Sequence, residues 1–216
     1  MELYTDQEFK SQQQVWNTIA EEWNEFKKTS DPRVSDFVAK AKGKLIDFGC
    51  GSGRNFTKTH AEIYALDFSG EMLKYAKEKA KDLGIKAQFI CHDLTTRLPF
   101  QDNFFDSAIN IATLHCIKGK TNRQNLIKEI YRILKPKAKV LIKVWNKEHK
   151  RFKLKVKNSE KYISWRDKGK RYYYFYTEDE LIKELGKVGF KIISSSSKSL
   201  GAEQMTDDEI IIIAEK

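Results

Sequence analysis

Hydrophobic positions follow two different periodicities along the chain. Five short apolar runs, KLIDFG, EIYALD, KAQFI, FFDSAINI and KVLIKVW, have the length and composition of buried strands. Two amphipathic stretches, GEMLKYAKEKAKDLG and TNRQNLIKEIYRILKP, lie between them and are closed by Gly84 and Pro136. Strands that alternate with helices at this spacing predict an α/β fold with a parallel sheet covered by helices on both faces.

The two ends of the chain add further elements. One helical stripe is predicted near the N-terminus, formed by Phe9, Trp16, Ile19, Trp23 and Phe26. The stretch VSDFVAKA predicts another short helix. TEDELIKELGKVG predicts a helix with Thr177 as N-cap and Glu180 closing a capping box. FKIISSSS and DEIIIIAEK predict an antiparallel strand pair. We expect one domain, residues 1–216, with an N-terminal helical segment over residues 1–42.

Charge and cysteine content narrow the class of protein. The 216 residues carry a formal net charge of +10, which favours a polyanionic partner such as nucleic acid or acidic lipid. No apolar run approaches the roughly 18 residues of a membrane-spanning helix. Cys50, Cys91 and Cys116 are far apart and form no C-x-x-C pair, so we expect no zinc site and a reducing, cytoplasmic setting.

The stretch DFGCGSGRN, directly after the first predicted strand, predicts a ligand-binding loop. Gly49, Gly51 and Gly53 let a ligand approach the main chain at the edge of the sheet where such sites lie. The dinucleotide pattern G-x-G-x-x-G is broken at Arg54, and there is no phosphate-binding G-K-[ST]. The carboxylate of Asp47 would repel a pyrophosphate but suits a ligand that carries an ammonium group.

Acidic residues also end the next two strands. Asp67 follows EIYAL and is placed to accept hydrogen bonds from a ribose diol. Asp93 and Leu94, in CHDL, are placed where an adenine would lie. An ammonium, a ribose and an adenine in this order describe S-adenosylmethionine. Taken singly, Asp67 and Asp93 could instead be turn or helix-capping residues.

Five segments resemble the successive motifs of class I S-adenosylmethionine-dependent methyltransferases: DFGCGSGRN, ALDFSGEML, CHDLTTRLPFQDNFFD, NIATLHCI and EIYRILKPKAKVLIKVW. The resemblance implies a Rossmann-like, seven-stranded, mostly parallel sheet with an antiparallel last strand. The residues expected to bind the cofactor are Asp47, Gly49, Cys50, Gly51, Ser52, Gly53, Asp67, Phe68, Asp93, Leu94 and Ile111.

The chain lacks the signatures of two acceptor classes. The [DN]-P-P-[YF] turn of exocyclic amine methylases is replaced by NIATLHCI, and none of the cysteines follows a proline as in pyrimidine C5 enzymes. An oxygen or sulfur acceptor remains. A basic, aromatic insertion over residues 146–176 follows the fifth strand; residues 147–171 hold eleven lysines and arginines against three acids. This composition suits single-stranded RNA, although a solvated lysine-rich loop would look the same.

The segments IAEEWNEFKKT, NIATLHCI and RYYYFYTEDEL resemble tRNA methyltransferases that esterify 5-carboxymethyluridine at the wobble position. This chain departs from that pattern at Phe26–Lys27, where T-R is usual, and at Tyr174, where histidine is usual. The resemblance implies tRNA as substrate and a small zinc-binding activator protein docked on KAQFI, the expected sheet edge. Two alternatives remain. The chain could be a small-molecule methyltransferase of the quinone or metabolite type, or an RNA-binding module with a regulatory pocket.

An ionised carboxylate acceptor needs one or two hydrogen-bond donors and no general base. We expect Arg171 in this role, with Lys27 and Tyr172 as helpers. His115, at the end of the fourth strand, is expected to face the methyl-transfer site and would be the general base for a hydroxyl acceptor. Its alternative role is to pack the strand end.

Overall fold

The structure, a computed structural model, describes residues 6–26, 28–149, 152, 159–196 and 208–216. The helices are α1 (Asp6–Thr18), α2 (Ala20–Phe26), α3 (Pro32–Ala39), α4 (Gly70–Leu83), α5 (Lys120–Ile133) and α6 (Glu178–Val188). The strands are β1 (Lys44–Phe48), β2 (Glu62–Asp67), β3 (Ala87–Cys91), β4 (Phe105–Ile111), β5 (Leu134–Trp145), β6 (Glu160–Ser164), β7 (Lys170–Tyr174), β8 (Lys191–Ser195) and β9 (Glu209–Glu215). None of the described helices is long and apolar enough to cross a bilayer.

Seven strands form one sheet in the order β3-β2-β1-β4-β5-β9-β8. The strands from β1 to β5 pair in parallel, and β9 runs antiparallel to both of its neighbours. The expected mostly parallel sheet with an antiparallel last strand is therefore confirmed, as is β3 at the edge. The strand order reverses between β1 and β4, which is where open sheets of this kind bind ligands.

Helices cover the sheet on both faces because alternate residues of each strand point to opposite sides. Leu45 and Ile63 pack with α3 and α4 in one apolar cluster, whereas Ile46 and Leu66 pack with α5 and α6 in another. The α4 helix begins with a Ser69 side-chain cap. It is closed by Gly84 in the left-handed conformation, as its sequence pattern predicts.

Two of the predicted elements differ in detail. The N-terminal stripe forms two helices that break at Ile19 rather than one, and the side chain of Phe9 lies outside the described part. The helix expected to end at Pro136 already ends at Ile133, because β5 begins at Leu134 to pair with Phe105. Tertiary strand pairing thus overrides the local helix pattern.

The basic insertion contains a β-hairpin that the sequence pattern did not predict, formed by β6 and β7. Most of its described rings are buried rather than available to bases; Phe152, Tyr172 and Tyr173 are buried, and Trp165 is partly buried against the N-terminal helices. Tyr162, 45% exposed, is the described ring of the insertion that faces solvent. The interpretation of these rings as a base-stacking surface is wrong for the buried ones, because both faces of β7 are covered: Tyr173 packs with Phe152 and Phe175, and Tyr172 faces Arg123 on the other side.

Candidate active site

The glycine loop occupies the carboxyl end of β1, where the strand order reverses. Gly49, Gly51 and Gly53 all have positive φ, at +68°, +55° and +78°. A Cβ on Gly49 would lie 2.3 Å from the Thr113 hydroxyl oxygen, whereas a Cβ on Gly51 would meet nothing within 4 Å. Gly49 therefore permits close packing against the segment after β4, and Gly51 keeps the ligand side of the loop open.

A cavity opens directly above this loop. Of the eleven residues expected at the cofactor, nine line it: Gly49, Cys50, Gly51, Ser52, Asp67, Phe68, Asp93, Leu94 and Ile111. Gly53 is instead packed against the ring of Phe56 and the backbone of α4 at Ala76. It therefore lets the loop pack closely on α4, on the side away from the cavity. Asp47 is fully buried at the end of β1.

Asp47 is a buried carboxyl group without a partner. Neither of its oxygens receives a hydrogen bond from the described residues. Burial, reinforced by the neighbouring Asp67 carboxylate and opposed by Arg54, raises the pKa of Asp47 to about 8. A buried orphan carboxyl is unfavourable unless a ligand satisfies it. An ammonium group on that ligand would do so, and its positive charge would lower the pKa of Asp47, so that the carboxyl proton is released to solvent.

Asp67 is held in place by main-chain donors from two elements. Its Oδ2 accepts from Gly51 N at 2.8 Å, and its Oδ1 accepts from Ser69 N at 2.9 Å. Burial raises the pKa of Asp67 to about 6, against the lowering effect of these hydrogen bonds. Each carboxylate oxygen retains lone-pair capacity, so the group can still accept from a ribose diol on the cavity side.

The third acid lies at the far end of the cavity. The Asp93 carboxylate accepts from the backbone N and the hydroxyl of Thr95, at 2.8 and 2.7 Å, which makes it the turn residue that its alternative interpretation allowed. Asp93 still lines the cavity beside Leu94. The turn fixes the carboxylate and leaves further acceptor capacity for a ligand amine.

Sequence reasoning missed the cover that the N-terminal helices provide. Gln12, Trp16 and Trp23 line the cavity from α1 and α2. The amide of Gln12 bonds to the backbone of β7, donating to Lys170 O at 3.0 Å and accepting from Tyr172 N at 3.1 Å. The aromatic spacing of the stripe is visible in the sequence, but the sequence does not indicate that these helices pack on β7 and line the cavity.

Arg171 lies behind this cover in a cage of aromatic rings. Its guanidinium carbon is 4.8 to 5.5 Å from four ring centroids, those of Trp16, Trp23, Trp165 and Tyr173. The side chain is buried, and in the described residues its Nε has no hydrogen-bond partner. Trp16 and Trp23 of this cage, and Cys116, which interacts electrostatically with Arg171, also line the cavity, so Arg171 lies next to the cavity wall.

Two of the other expected catalytic residues do not face the cavity. His115 is 1% exposed, stacks on Trp145 at 5.2 Å, and accepts a hydrogen bond from Trp145 N at its Nδ1. Burial, with the Lys143 ammonium adding to it, lowers the pKa of His115 to about 3. The geometry therefore corresponds to its alternative role, packing the strand end, because a ring with so low a pKa is a weak base and its Nδ1 already accepts from Trp145 N.

Tyr172 follows Arg171 in a strand and so points to the opposite side. Its hydroxyl accepts from Arg123 Nη1 at 3.2 Å, in a buried cluster with Tyr174, whose ring lies 3.7 Å from the Arg123 guanidinium. The expectation that Tyr172 helps Arg171 bind an acceptor is wrong on this geometry. Lys27 lies outside the described residues.

The chain matches the family model of the methyltransferase domain over residues 46–142. It is 31% identical over 140 residues to the mouse "Probable tRNA methyltransferase 9B", covering 63% of this chain and 30% of that protein. It is 27% identical over 137 residues to an Arabidopsis thaliana tRNA (carboxymethyluridine(34)-5-O)-methyltransferase, covering 62% and 32%. A demethylmenaquinone methyltransferase of Anoxybacillus flavithermus is 36% identical over 104 residues, covering 45% and 43%. The chain thus spans about 30% of the length of the tRNA methyltransferases it matches.

Solved structures share the fold. A Methanosarcina mazei S-adenosylmethionine-dependent methyltransferase superposes with a TM-score of 0.69 at 23% identity, covering 87% of this chain and 98% of that one. A Haloferax volcanii methyltransferase, in complex with the Trm112 methyltransferase activator, gives 0.68 at 15% identity, covering 95% and 96%. The orphan Asp47 carboxyl, the Asp67 acceptors and the open Gly51 also fit S-adenosylmethionine. Over residues 46–142 the chain carries the matched methyltransferase domain, and its fold is that of S-adenosylmethionine-dependent methyltransferases.

Proposed function

We propose that this chain methylates the carboxylate of 5-carboxymethyluridine at the wobble position of tRNA. One observation carries the proposal: Arg171 is a buried cation beside the cofactor cavity, and no described carboxylate pairs with it. A buried charge without a counter-ion is costly, so the site favours an anionic ligand. The names of the mouse and Arabidopsis relatives support a tRNA acceptor of this type.

The buried, neutral His115 is compatible with this acceptor. A carboxymethyl group has a pKa of about 4, by analogy with Asp and Glu, and is already ionised at pH 7. S-adenosylmethionine, when bound, supplies an electrophilic methyl group, so the chain has to bind and orient the acceptor rather than deprotonate it. Orientation of this kind can supply roughly 7–11 kcal/mol of the barrier. Arg171 would hold the carboxylate through its fork of N–H donors.

The exposed side of the hairpin provides a surface for RNA. Lys161, Arg166 and Lys170 are exposed there, together with the Tyr162 ring. Phe26, 64% exposed at the end of α2, lies 5.4 Å from Trp165 and adds a second ring. Cations for phosphates and two rings for unstacked bases are what an anticodon loop requires. We place this activity in the cytoplasm, where its tRNA substrate would be met.

The edge of the sheet suggests a protein partner. Among the described strands, β3 pairs with β2 alone, so its other backbone edge is open to strand addition. The Haloferax relative of this fold assembles with the Trm112 activator. We propose that a small zinc-binding activator of this kind docks on β3.

The test is transfer of labelled methyl groups from S-adenosylmethionine to bulk tRNA, with and without such a partner, followed by digestion to nucleosides. We expect label in a base-labile ester of 5-carboxymethyluridine. Arg171→Gln should abolish labelling without loss of cofactor binding. Arg166→Gln is the matched control, because it removes one exposed cation from the same hairpin. It should only make tRNA binding less sensitive to salt concentration.

A small-molecule acceptor is the alternative, favoured by the demethylmenaquinone methyltransferase relative. It predicts cofactor binding without any tRNA labelling, with or without the partner. Equal activity of the wild type and Arg171→Gln on tRNA would remove Arg171 from the acceptor site.

A further inference from the structure

The α1 helix is bonded to the cofactor side of the cavity through two side-chain amides. Gln13 Nε2 donates to Phe68 O at 2.6 Å, and Phe68 lines the cavity. Asn17 Oδ1 accepts from the Ser69 hydroxyl, also at 2.6 Å. Ser69 N in turn donates to Asp67 Oδ1 at 2.9 Å. One residue, Ser69, therefore joins α1 to the carboxylate that is expected to bind the ribose of the cofactor.

The same helix holds the strand that carries Arg171. The Gln12 amide donates to Lys170 O at 3.0 Å and accepts from Tyr172 N at 3.1 Å. These two residues flank Arg171. The side chain of Gln12 thus bonds to the edge of β7 as the peptide group of a neighbouring strand would. Loss of both bonds would free the backbone on either side of Arg171.

Close packing accompanies these bonds. Gly169, directly before β7, has a φ of +116°, and a Cβ there would lie 2.7 Å from Val15 Cγ2 on α1. Glycine therefore lets the start of β7 approach α1 closely. The Trp16 ring, also on α1, lines the cavity, and its centroid is 5.5 Å from the Arg171 guanidinium carbon. The cofactor cavity and Arg171 thus contact one helix.

Opening of α1 would disturb both ends of this arrangement together. Surface helices open locally at a lower free energy than that of global unfolding. A ligand that fixes Asp67 and Ser69 favours the state in which Asn17 is bonded, and so favours the docked helix. The docked helix keeps Gln12 on β7. By linkage, an acceptor held by Arg171 favours the docked helix in turn, and with it the bound cofactor.

We propose that α1 transmits cofactor occupancy from Asp67 to Arg171, through Asn17 and Gln12, so that the acceptor site is complete only when the methyl donor is bound. Asn17 and Gln12 are positioning residues, because they act through Asp67 and Arg171 rather than on the reacting groups. The inference rests on the proposed function for the role of Arg171, but the docking of α1 can be measured with the cofactor alone.

Amide hydrogen exchange, followed by NMR on the full chain, tests the proposal at the Tyr172 amide, which bonds to Gln12 in the docked state. Each variant is measured without ligand and with S-adenosylhomocysteine, the cofactor after loss of its methyl group. At about 100 times the Kd, an opening that excludes the ligand slows by at most about 100-fold. For the wild type we expect exchange at Tyr172 to slow by about 10-fold or more. 5′-Deoxy-5′-methylthioadenosine keeps the ribose but lacks the amino-acid tail, and it should slow the exchange as much at equal saturation.

Three variants locate the coupling in Asn17. Asn17→Ala should reduce the slowing to about twofold or less at equal saturation, since α1 then no longer bonds to Ser69. Asn17→Asp should restore it, because a carboxylate oxygen accepts from the Ser69 hydroxyl as the amide oxygen does. Gln14→Ala is the matched control; it removes an exposed amide from the same helix and should behave as the wild type.

The ratio of exchange rates with and without ligand separates coupling from a structural role. If Asn17→Ala speeds up exchange equally in both states, the ratio is unchanged and the proposal is overturned. Slowing of Tyr172 exchange by neither ligand in the wild type, or by S-adenosylhomocysteine alone, would overturn it as well. Should Asn17→Ala not fold, Gln13→Ala, which loses the bond to Phe68 O, replaces it with the same expected loss of slowing. Absence of methyl transfer to tRNA would refute the proposed acceptor and leave these ratios intact.

Discussion

Cofactor binding should depend on pH through Asp47. The pKa of this buried carboxyl is raised to about 8, so it is protonated in the free protein at pH 7. Pairing with the ligand ammonium requires the ionised form. The ligand ammonium itself has a pKa of roughly 7.8, by analogy with an α-amino group. The two titrations act in opposite directions, and affinity should therefore be greatest close to pH 8.

The magnitude follows from the two protonation equilibria. At pH 6 about 1% of Asp47 is ionised, against about half at pH 8, while the ammonium fraction rises from about 40% at pH 8 to nearly all at pH 6. The product predicts that S-adenosylhomocysteine binds about 20-fold more weakly at pH 6 than at pH 8. At pH 7 Asp47 and the ligand amine hold together about 1.8 protons before binding and one proton in the complex, so about 0.8 proton should be released on binding.

Titration calorimetry in buffers of different ionisation enthalpy measures both quantities. Methylthioadenosine, which lacks the ammonium, is the control for Asp67, whose pKa of about 6 affects both ligands below pH 7. The ratio of the two affinities isolates Asp47. A ratio that stays constant within twofold between pH 6 and pH 8 would refute the reasoning.

The same group makes a prediction for folding. Because its pKa is higher in the folded chain than the ordinary 3.8, the folded state holds the proton more tightly, and stability falls as pH rises from about 4 to about 8. At pH 7 the raised pKa of Asp47 lowers the free energy of unfolding by about 4 kcal/mol, relative to a pH at which Asp47 is protonated in both the folded and the unfolded chain. Asp47→Asn should unfold at higher denaturant concentration than the wild type at pH 8, yet lose cofactor affinity. An unchanged or lower midpoint would contradict the linkage.

Four further substitutions separate local roles. Gly49→Ala should lower the free energy of unfolding by about 2 kcal/mol or more, because of its positive φ and the contact with Thr113, whereas Gly51→Ala should cost about 1 kcal/mol but weaken S-adenosylhomocysteine binding at least tenfold. Similar effects of the two on denaturant unfolding would contradict this. His115→Gln should leave the pH–rate profile of methyl transfer unchanged between pH 6 and 7, because the His115 pKa of about 3 lies far below that range. If the wild type shows an inflection there that the variant lacks, His115 acts as a general base. Gln12→Ala removes two hydrogen bonds to β7, and hydrogen exchange in α1 should accelerate by about 30-fold, as for a loss near 2 kcal/mol; unchanged exchange would show that the helix is held otherwise.

The cofactor half of the site could be predicted from the sequence because each of its parts is local. Glycine spacing, and an acid at the end of each of two strands, fix positions at one sheet edge once the strands are recognised. The side chains that meet at that edge follow from the parallel pairing of the strands, which places Asp47 opposite Ala65 and Asp67 opposite Cys91. This part required no knowledge of distant contacts.

The acceptor half could not be read in the same way. Gln12 is held at the cavity by hydrogen bonds to β7, more than 150 residues away, and nothing in α1 itself indicates that partner. His115 looked catalytic because of its place after β4, yet Trp145 N and the rings around it decide its state.

The alternation of β7 explains why one basic insertion serves both the site and the core. Arg171 lies in the aromatic cage beside the cavity, to which Tyr173 contributes a ring, while Tyr172 and Tyr174 face Arg123 on α5. The second set anchors the strand to the body of the domain through a buried arginine. A substitution on that side would therefore move Arg171 without touching the ligand. Had the hairpin been recognised as a strand, its period of two would have shown that Arg171 and Tyr172 cannot hold the same acceptor.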